Sequence, residues 1–354
     1  MSGSFLDIAK AHWARYPAME PQDFAKLAHQ SAFGPAHMVQ SPDRVLAALL
    51  AERKEAGVEP LALEPIGNGL CRFHITQALS TLWELPLVGR MFTRTAALTE
   101  GTEAELLETL EELAALPVPG LGDYLENWRR EGCPPVHHSE AFRAAYNPHY
   151  RVLRADMARF LPALIPLEKL ARDLPARRKG PALIAIDGRC GSGKTGFASV
   201  AAGVLACSSD VVHLDDFYLP PERRKPDWME TPAGNMDLER FEKEVLGSPD
   251  REGETAYRPY DCQTGCLGER VELWEPLTIV EGTYSQYPSL AKYYDYKLFL
   301  TCEKEEQTRR LQAREGDDYP TFNRVWRALE ENYFAACGTE RAADLVVDTT
   351  GFFD

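Results

Sequence analysis

The sequence predicts an α/β domain over residues 182–354, built on a doubly wound parallel sheet, preceded by a mainly α-helical domain over 1–170. Three observations predict this. Short apolar runs alternate with helix-compatible stretches in the second half, as in a buried parallel sheet with helices on both faces. Helical spacing dominates the first half, with few β-branched runs to interrupt it. Between them lies ARDLPARRKGP at 171–181, a basic, Pro- and Gly-containing segment that reads as an exposed linker. A chain of 354 residues accommodates two such domains.

In the first half, TEAELLETLEELAAL (102–116) places Leu106, Leu107, Leu110 and Leu113 at helical spacing. Thr102 with Glu105 fits a capping box, in which each residue satisfies the other's free N–H. Residues 23–30 and 42–56 also suit helices. Gly34 and Gly67 fit turn or C-cap positions. In the second half, strands are expected at ALIAI (182–186), DVVHL (210–214), LTIV (277–280), KLFL (297–300) and DLVV (344–347). Helices are expected at 194–206, 237–246, 304–314 and 323–336.

A net charge of -15 makes the chain a poor general binder of nucleic acid or anionic membrane, because phosphate repels it. No run of eighteen apolar residues exists, so no membrane-spanning helix is expected. The N-terminal stretch lacks the apolar core of a signal peptide. The eight cysteines form no repeated CxxC, which argues against a zinc ribbon or a disulfide framework. Cys262 and Cys266 lack a second pair to complete a metal clip. Reduced thiols and a cytoplasmic location are the expectation. The oligomeric state stays open, a homo-oligomer included.

Chemistry begins at Gly188-Arg189-Cys190-Gly191-Ser192-Gly193-Lys194-Thr195, which fits G-x-x-x-x-G-K-[ST] between a strand and a helix. Glycines let successive N–H groups turn inward onto phosphate oxygens, and the helix N-terminus adds positive potential. Gly188, Gly191, Ser192, Gly193, Lys194 and Thr195 are therefore the nucleotide-binding candidates. Lys194 can bridge the β- and γ-phosphates, and Thr195 offers a hydroxyl to Mg²⁺. No Asn-Lys-x-Asp segment is present to read guanine.

The second strand ends in His213-Leu214-Asp215-Asp216-Phe217-Tyr218. Ligands bind at carboxyl ends of strands in such sheets, so one of the two carboxylates can serve as base or metal partner and the other as a structural group. A solvated turn pair is the alternative. Glu281 directly follows an apolar strand, where a carboxylate can hold Mg²⁺. Arg310 and Arg314 share a helix face at i,i+4 and suit a transferring phosphoryl group, or else pair with Glu303, Glu305 and Glu306 in solvent.

Seven pieces occur in one order: GRCGSGKT (188–195), LDDFYLP (214–220), GNMDLERF (234–241), YRPYDC (257–262), VEGTYS (280–285), YYDYKLFL (293–300) and QTRRLQAR (307–314). In these the C-terminal half resembles the uridine kinase and phosphoribulokinase group of P-loop kinases. The resemblance implies a P-loop kinase fold and a use for ATP and Mg²⁺. It further implies that Asp215 is the general base for the acceptor hydroxyl, with Tyr218 near the bound acceptor. Asp237 would hold sugar hydroxyls, Glu281 would lie near Mg²⁺, and Arg310 and Arg314 would be lid arginines. Arg258 and Tyr260, in the YRPYDC piece, are further substrate candidates.

Two departures stand out. Gly265 lies about where uridine kinases carry a base-reading His, and PERRKPDWMETPAG (221–234) replaces a shorter approach to Asn-x-Asp. The expected activity is Mg-ATP-dependent phosphorylation of a hydroxyl on a small molecule, a nucleoside or related ribosyl compound. A different alcohol or sugar, or a non-catalytic ATP switch with the first domain as output, are the alternatives.

The first half resembles no known family, but several clusters look unlike filler. They are Tyr16 to Met19 with Gln22 and Asp23, Phe33 to His37, Glu64 to Gly67 with Arg72, and VHHSEAFRAAYNPHYRVLR at 136–154. Histidines with Glu64 suit a metal or acid–base site, although no HExxH-type spacing exists. Polar residues that satisfy a helical core and its caps are the plainer reading. A recruiting module is the other, with Arg143, Arg151, His138 and His149 gripping an anion.

Overall fold

The computed structural model describes residues 4–38, 41–60, 62–174, 180–247 and 255–353. Contacts divide the chain into two units, 1–161 with 352–354, and 162–351.

The first unit contains α1 (Phe5–Arg15), α2 (Pro21–Phe33), α3 (Pro42–Glu55), β1 (Glu64–Gly67), β2 (Leu70–His74), α4 (Glu84–Leu98), α5 (Glu103–Leu113), α6 (Leu121–Arg130), α7 (Glu140–Tyr146) and β3 (Tyr150–Arg154). Helices dominate, as expected. The Thr102–Glu105 capping box forms at the start of α5, and Leu106, Leu110 and Leu113 face the core. Gly34 caps α2 with φ +56°, and Gly67 has φ +96°.

One feature was not expected: β1, β2 and β3 form an antiparallel sheet in that order. Asn68 (φ +50°) and Gly69 (φ +68°) make the two-residue hairpin between β1 and β2, the backbone that an Asn-Gly pair favours. The third strand arrives from far along the chain and pairs His74 with Tyr150 and Arg72 with Val152.

α8 (Ala155–Asp173) carries the boundary between the units, which falls at 161/162, earlier than the expected 171–181 linker. Residues 171–173 of that linker are helical, because the α8 pattern runs on to Asp173, and 175–179 lie outside the described residues.

The second unit runs through β4 (Ala182–Gly188), α9 (Lys194–Val204), β5 (Ser209–His213), α10 (Leu238–Phe241), β6 (Thr255–Tyr257), β7 (Tyr260–Asp261), β8 (Cys266–Leu267), β9 (Val271–Leu273), β10 (Leu277–Glu281), β11 (Tyr296–Thr301), α11 (Lys304–Glu315), α12 (Tyr319–Cys337), α13 (Thr339–Ala342) and β12 (Leu345–Asp348). Five strands form one parallel sheet in the order β12-β11-β4-β10-β5. All five match the strands expected from the sequence. Every residue of β4 is buried, as suits the central strand. The expected helix at 237–246 is α10 followed by a wider π-type turn over Glu242–Leu246. β6–β9 and β7–β8 make two small antiparallel ribbons. Among the described residues, no helix is long and apolar enough to cross a membrane.

Candidate active site

The order of the sheet puts β10 on one side of β4 and β11 on the other, so the loop after β4 leaves the sheet where its neighbours diverge. Crevices for ligands open at such points. Gly188 must be glycine here. Its φ is +135°, and a Cβ would lie 2.0 Å from the Leu300 carbonyl oxygen. Gly191 (φ +74°) and Gly193 (φ +91°) complete the curl before α9. Lys194 opens α9 and donates from Nζ to the Gly188 and Arg189 carbonyls at 2.8 and 3.1 Å, so the ammonium lies against the loop.

The structure then gathers the expected partners. The Thr195 hydroxyl donates to Glu281 Oε1 at 3.1 Å, and His213 Nδ1 lies 2.6 Å from the same oxygen. Glu281 and His213 end β10 and β5 in register. The hydrogen bond to Glu281 raises the His213 imidazole above its ordinary value.

The two aspartates after β5 differ in their surroundings. Asp215 is solvent-exposed, with Lys194, Glu281 and Tyr218 around it. The surrounding walls push its carboxyl up, Lys194 pulls it down, and the Tyr218 hydroxyl donates to it at 3.2 Å. Asp216 turns to structural work. It accepts from the Tyr257 hydroxyl at 2.9 Å, and its backbone carbonyl accepts from Arg240 at 2.7 Å.

The Asn-x-Asp segment runs beside Tyr218. Asp237 N donates to the Phe217 carbonyl at 2.7 Å, and Leu219 N donates to the Asn235 carbonyl at 2.8 Å. Tyr218 and Asp237 are thereby brought onto neighbouring strands of chain. The Asp237 carboxylate is engaged internally: it caps α10 through Arg240 N at 3.2 Å and pairs with Arg223 at 2.9 Å. Arg258 donates to the Gly268 carbonyl at 2.8 Å, and Tyr260 is buried near Gly265.

The two arginines of α11 differ. Arg310 is nearly buried. It pairs with Glu306 at 2.7 Å and donates to the Gly191 carbonyl at 3.1 Å and to Thr349 at 3.0 and 2.7 Å. It fastens α11 to the loop. Arg314 is exposed, pairs with Glu315 and lies 5.2 Å over the Phe322 ring.

Sequence reasoning missed two supports of the loop. Asp187, fully buried, accepts from Gly188 N, Gln286 N and the Tyr333 hydroxyl at 2.7, 3.0 and 2.7 Å. Glu330 of α12, also buried, accepts from Cys190 N at 2.8 Å and from Gln307 at 3.0 Å. Burial raises both carboxyls. Asp187 was legible as the acid ending ALIAID. Glu330 carried no local signal, because its helix arrives from 140 positions away.

The residues fit a bound nucleotide and its metal. Among the described residues the buried Ser192 hydroxyl has no partner, and the loop presents the amides of a glycine curl. Thr195 and Glu281 are oxygen donors of the type Mg²⁺ takes. Among the described residues, no group of three His, Cys, Asp or Glu side chains forms a metal cluster, and Cys262 and Cys266 are free and exposed.

In the first unit the singled-out clusters partly converge. Tyr16 donates to Glu64, which also lies 3.0 Å from Arg15 and from His74. Asp23 lies 2.7 Å from His138 Nδ1, and His138 Nε2 lies 2.7 Å from the Tyr150 hydroxyl. The suggested anion set does not assemble. Arg151 and His149 face Glu52, His138 faces Asp23, and Arg143 is exposed. The side chain of His37 lies outside those described.

No protein-family model matches the chain, and no curated protein does. Among solved structures, it is similar to a possible uridine kinase from Bacillus stearothermophilus, 21% identical, with 51% of this chain and 97% of that one covered and a TM-score of 0.40. It is also similar to D-glycerate 3-kinase from Cryptococcus neoformans var. grubii, 20% identical, covering 51% of this chain and 69% of that one, with a TM-score of 0.29.

Proposed function

We propose that the second unit is a Mg-ATP-dependent kinase that phosphorylates a hydroxyl group of a small molecule. One observation carries the reading. A carboxylate, Asp215, stands in the same crevice as the phosphate-loop lysine, with the Tyr218 hydroxyl on it. A pure binding loop has no need of that acid.

The loop amides and Lys194 bind the triphosphate. Thr195 and Glu281 would hold the metal, which would supply neutralisation of phosphate charge. Asp215 orients the acceptor hydroxyl and takes its proton as the acceptor oxygen bonds to the γ-phosphorus and the bond to the bridging oxygen breaks, releasing ADP. Tyr218 positions Asp215. Arg310 keeps the loop in shape from behind, and Arg314, exposed on α11, would leave Glu315 to reach over the phosphates.

The acceptor is a nucleoside or related ribosyl compound. Tyr218, with Trp326 packed beside it at a centroid distance of 5.9 Å, would offer aromatic surface to a planar base. A sugar or another small alcohol is the other acceptor class.

A metabolite mixture with γ-labelled ATP tests this. Asp215→Asn should cut turnover by about 10²-fold or more while leaving ATP affinity within about three-fold. ATP binding without transfer to any acceptor would replace the kinase by a nucleotide-dependent switch.

A further inference from the structure

The first unit encloses a cavity of about 460 Å³ that has no part in the phosphate loop. It is lined from α1, β1, β2, α7 and the start of β3, and its size suits a metabolite.

Its lining carries two cations, Arg15 and Arg72, and two carboxylates, Glu59 and Glu64, yet among the described residues neither carboxylate forms an ion pair with Arg72. Arg72 is 1% exposed. Its guanidinium stacks 4.7 Å from the Tyr150 ring centroid and donates to the neutral Gln30 from Nε and Nη2 at 3.3 and 3.0 Å. Among the described residues it makes no ion pair, and Nη1 makes no hydrogen bond. A buried cation in that state costs several kcal/mol unless something answers it. Glu64, 4% exposed, already answers Arg15 at 3.0 Å, and among the described residues its buried Oε2 has no hydrogen-bond partner. His149 Nε2, also on the lining, is likewise unpartnered.

These defects define a ligand. Arg72 asks for one negative charge. A phosphate dianion would bring one charge too many next to Glu64, and a metal cation would meet Arg15 and Arg72. The free Glu64 oxygen accepts only, so the ligand must donate there. Part of the remaining wall is aromatic. Tyr16, Phe142 and Tyr146 pack with centroids 4.9 to 5.2 Å apart and offer ring surface to a carbon body.

We propose that this cavity is a second small-molecule site, which takes an organic monocarboxylate that also carries a hydroxyl or amino group. The carboxylate pairs with Arg72, the donor group meets Glu64 Oε2, and the carbon body lies against Tyr16, Phe142 and Tyr146.

Calorimetric titration of the full-length protein tests it. The probes are lactate, serine, phenyllactate and 4-hydroxybenzoate, with their methyl esters and orthophosphate as controls. At least one acid should bind at one per chain with a Kd below about 1 mM, and its ester about ten-fold more weakly or worse. Glu64→Gln and Arg72→Gln should each weaken that acid by about ten-fold or more, with ATP affinity unchanged. Glu64→Gln keeps the shape of the side chain, so it decides the matter should Arg72→Gln fail to fold. The proposal falls if none of the four acids binds at about 10 mM. It also falls if an ester binds as well as its acid, if orthophosphate binds better, or if Glu64→Gln binds like the parent.

Discussion

Gly188 and Gly196 lie eight positions apart and obey opposite rules. At Gly188 the backbone of β11 occupies the space of a Cβ, and φ is +135°. At Gly196, in the first turn of α9, nothing lies within 4 Å. Gly188→Ala should therefore cost about 3 kcal/mol or prevent soluble expression, since backbone cannot yield as a side chain can. Gly196→Ala should stabilise by about 0.5–1 kcal/mol through helix propensity. Urea unfolding measures both, and equal effects would contradict the close approach at β11. Titration is also a residue-scale property. Burial lowers His12 and His138 to about 4, with Arg72 adding to the effect. Their folded pKa values lie below the unfolded 6.5, so their contribution is complete above that pH and is lost as pH falls towards 4. Linkage puts this at about 3 kcal/mol for each. For Glu64, burial alone would raise the carboxyl, but hydrogen bonds from His74 and Tyr16 outweigh it and bring it to about 2. Its contribution is lost between 4.5 and about 2. Urea midpoints should therefore fall from pH 7 to pH 4, and His12→Gln should flatten part of that slope. A stability that stays constant across this range would refute the assignment of neutral, buried imidazoles.

At the scale of elements, ends and anchors decide more than interiors. Thr102 and Glu105 satisfy each other's free N–H at the start of α5, and Thr102→Ala should cost about 1 kcal/mol of stability without touching nucleotide binding. Arg310 matters differently. Three hydrogen bonds tie α11 through it to Gly191 of the loop and to Thr349 beyond β12, while a fourth holds its guanidinium to Glu306 of the same helix. Arg310→Ala should weaken ATP binding by about ten-fold or more, with Arg310→Lys recovering little, because a lysine cannot supply a forked guanidinium. Fluorescence titration with a labelled nucleotide would show it, and an unchanged affinity would return Arg310 to the exposed-lid role the sequence suggested. The small sheet of the first unit shows why elements escape sequence reading. β1 and β2 were announced by Asn68-Gly69, a hairpin signal present in the sequence, yet strands of four and five residues left too little alternation to read. β3 pairs with β2 across most of the unit, and no local pattern predicts such a partner.

For the whole molecule, the division into two units has a thermal consequence. ATP stabilises whatever binds it, by about 2.7 kcal/mol at a hundred times Kd. If the loop of the second unit is the binding site, saturating Mg-ATP should raise the transition of that unit in calorimetry and leave an independent transition of the first where it was. A single transition that moves as one would show the units to be thermodynamically inseparable. The sequence by itself determined the five strands, their alternation with helices and the phosphate loop. Those features rest on local apolar pattern and on glycines whose backbone angles other residues rarely adopt. It also marked Lys194, Thr195, Asp215 and Glu281, because each follows a strand or opens a helix at a fixed offset. Only the tertiary structure showed what claims Asp216, the Tyr257 hydroxyl on its carboxylate and Arg240 on its carbonyl. Only it set Arg310 behind the loop, brought Glu330 to Cys190, and closed Arg72 and Glu64 around one cavity. Such pairings join residues distant in the chain, and their energies come from burial and partners that sequence spacing does not encode.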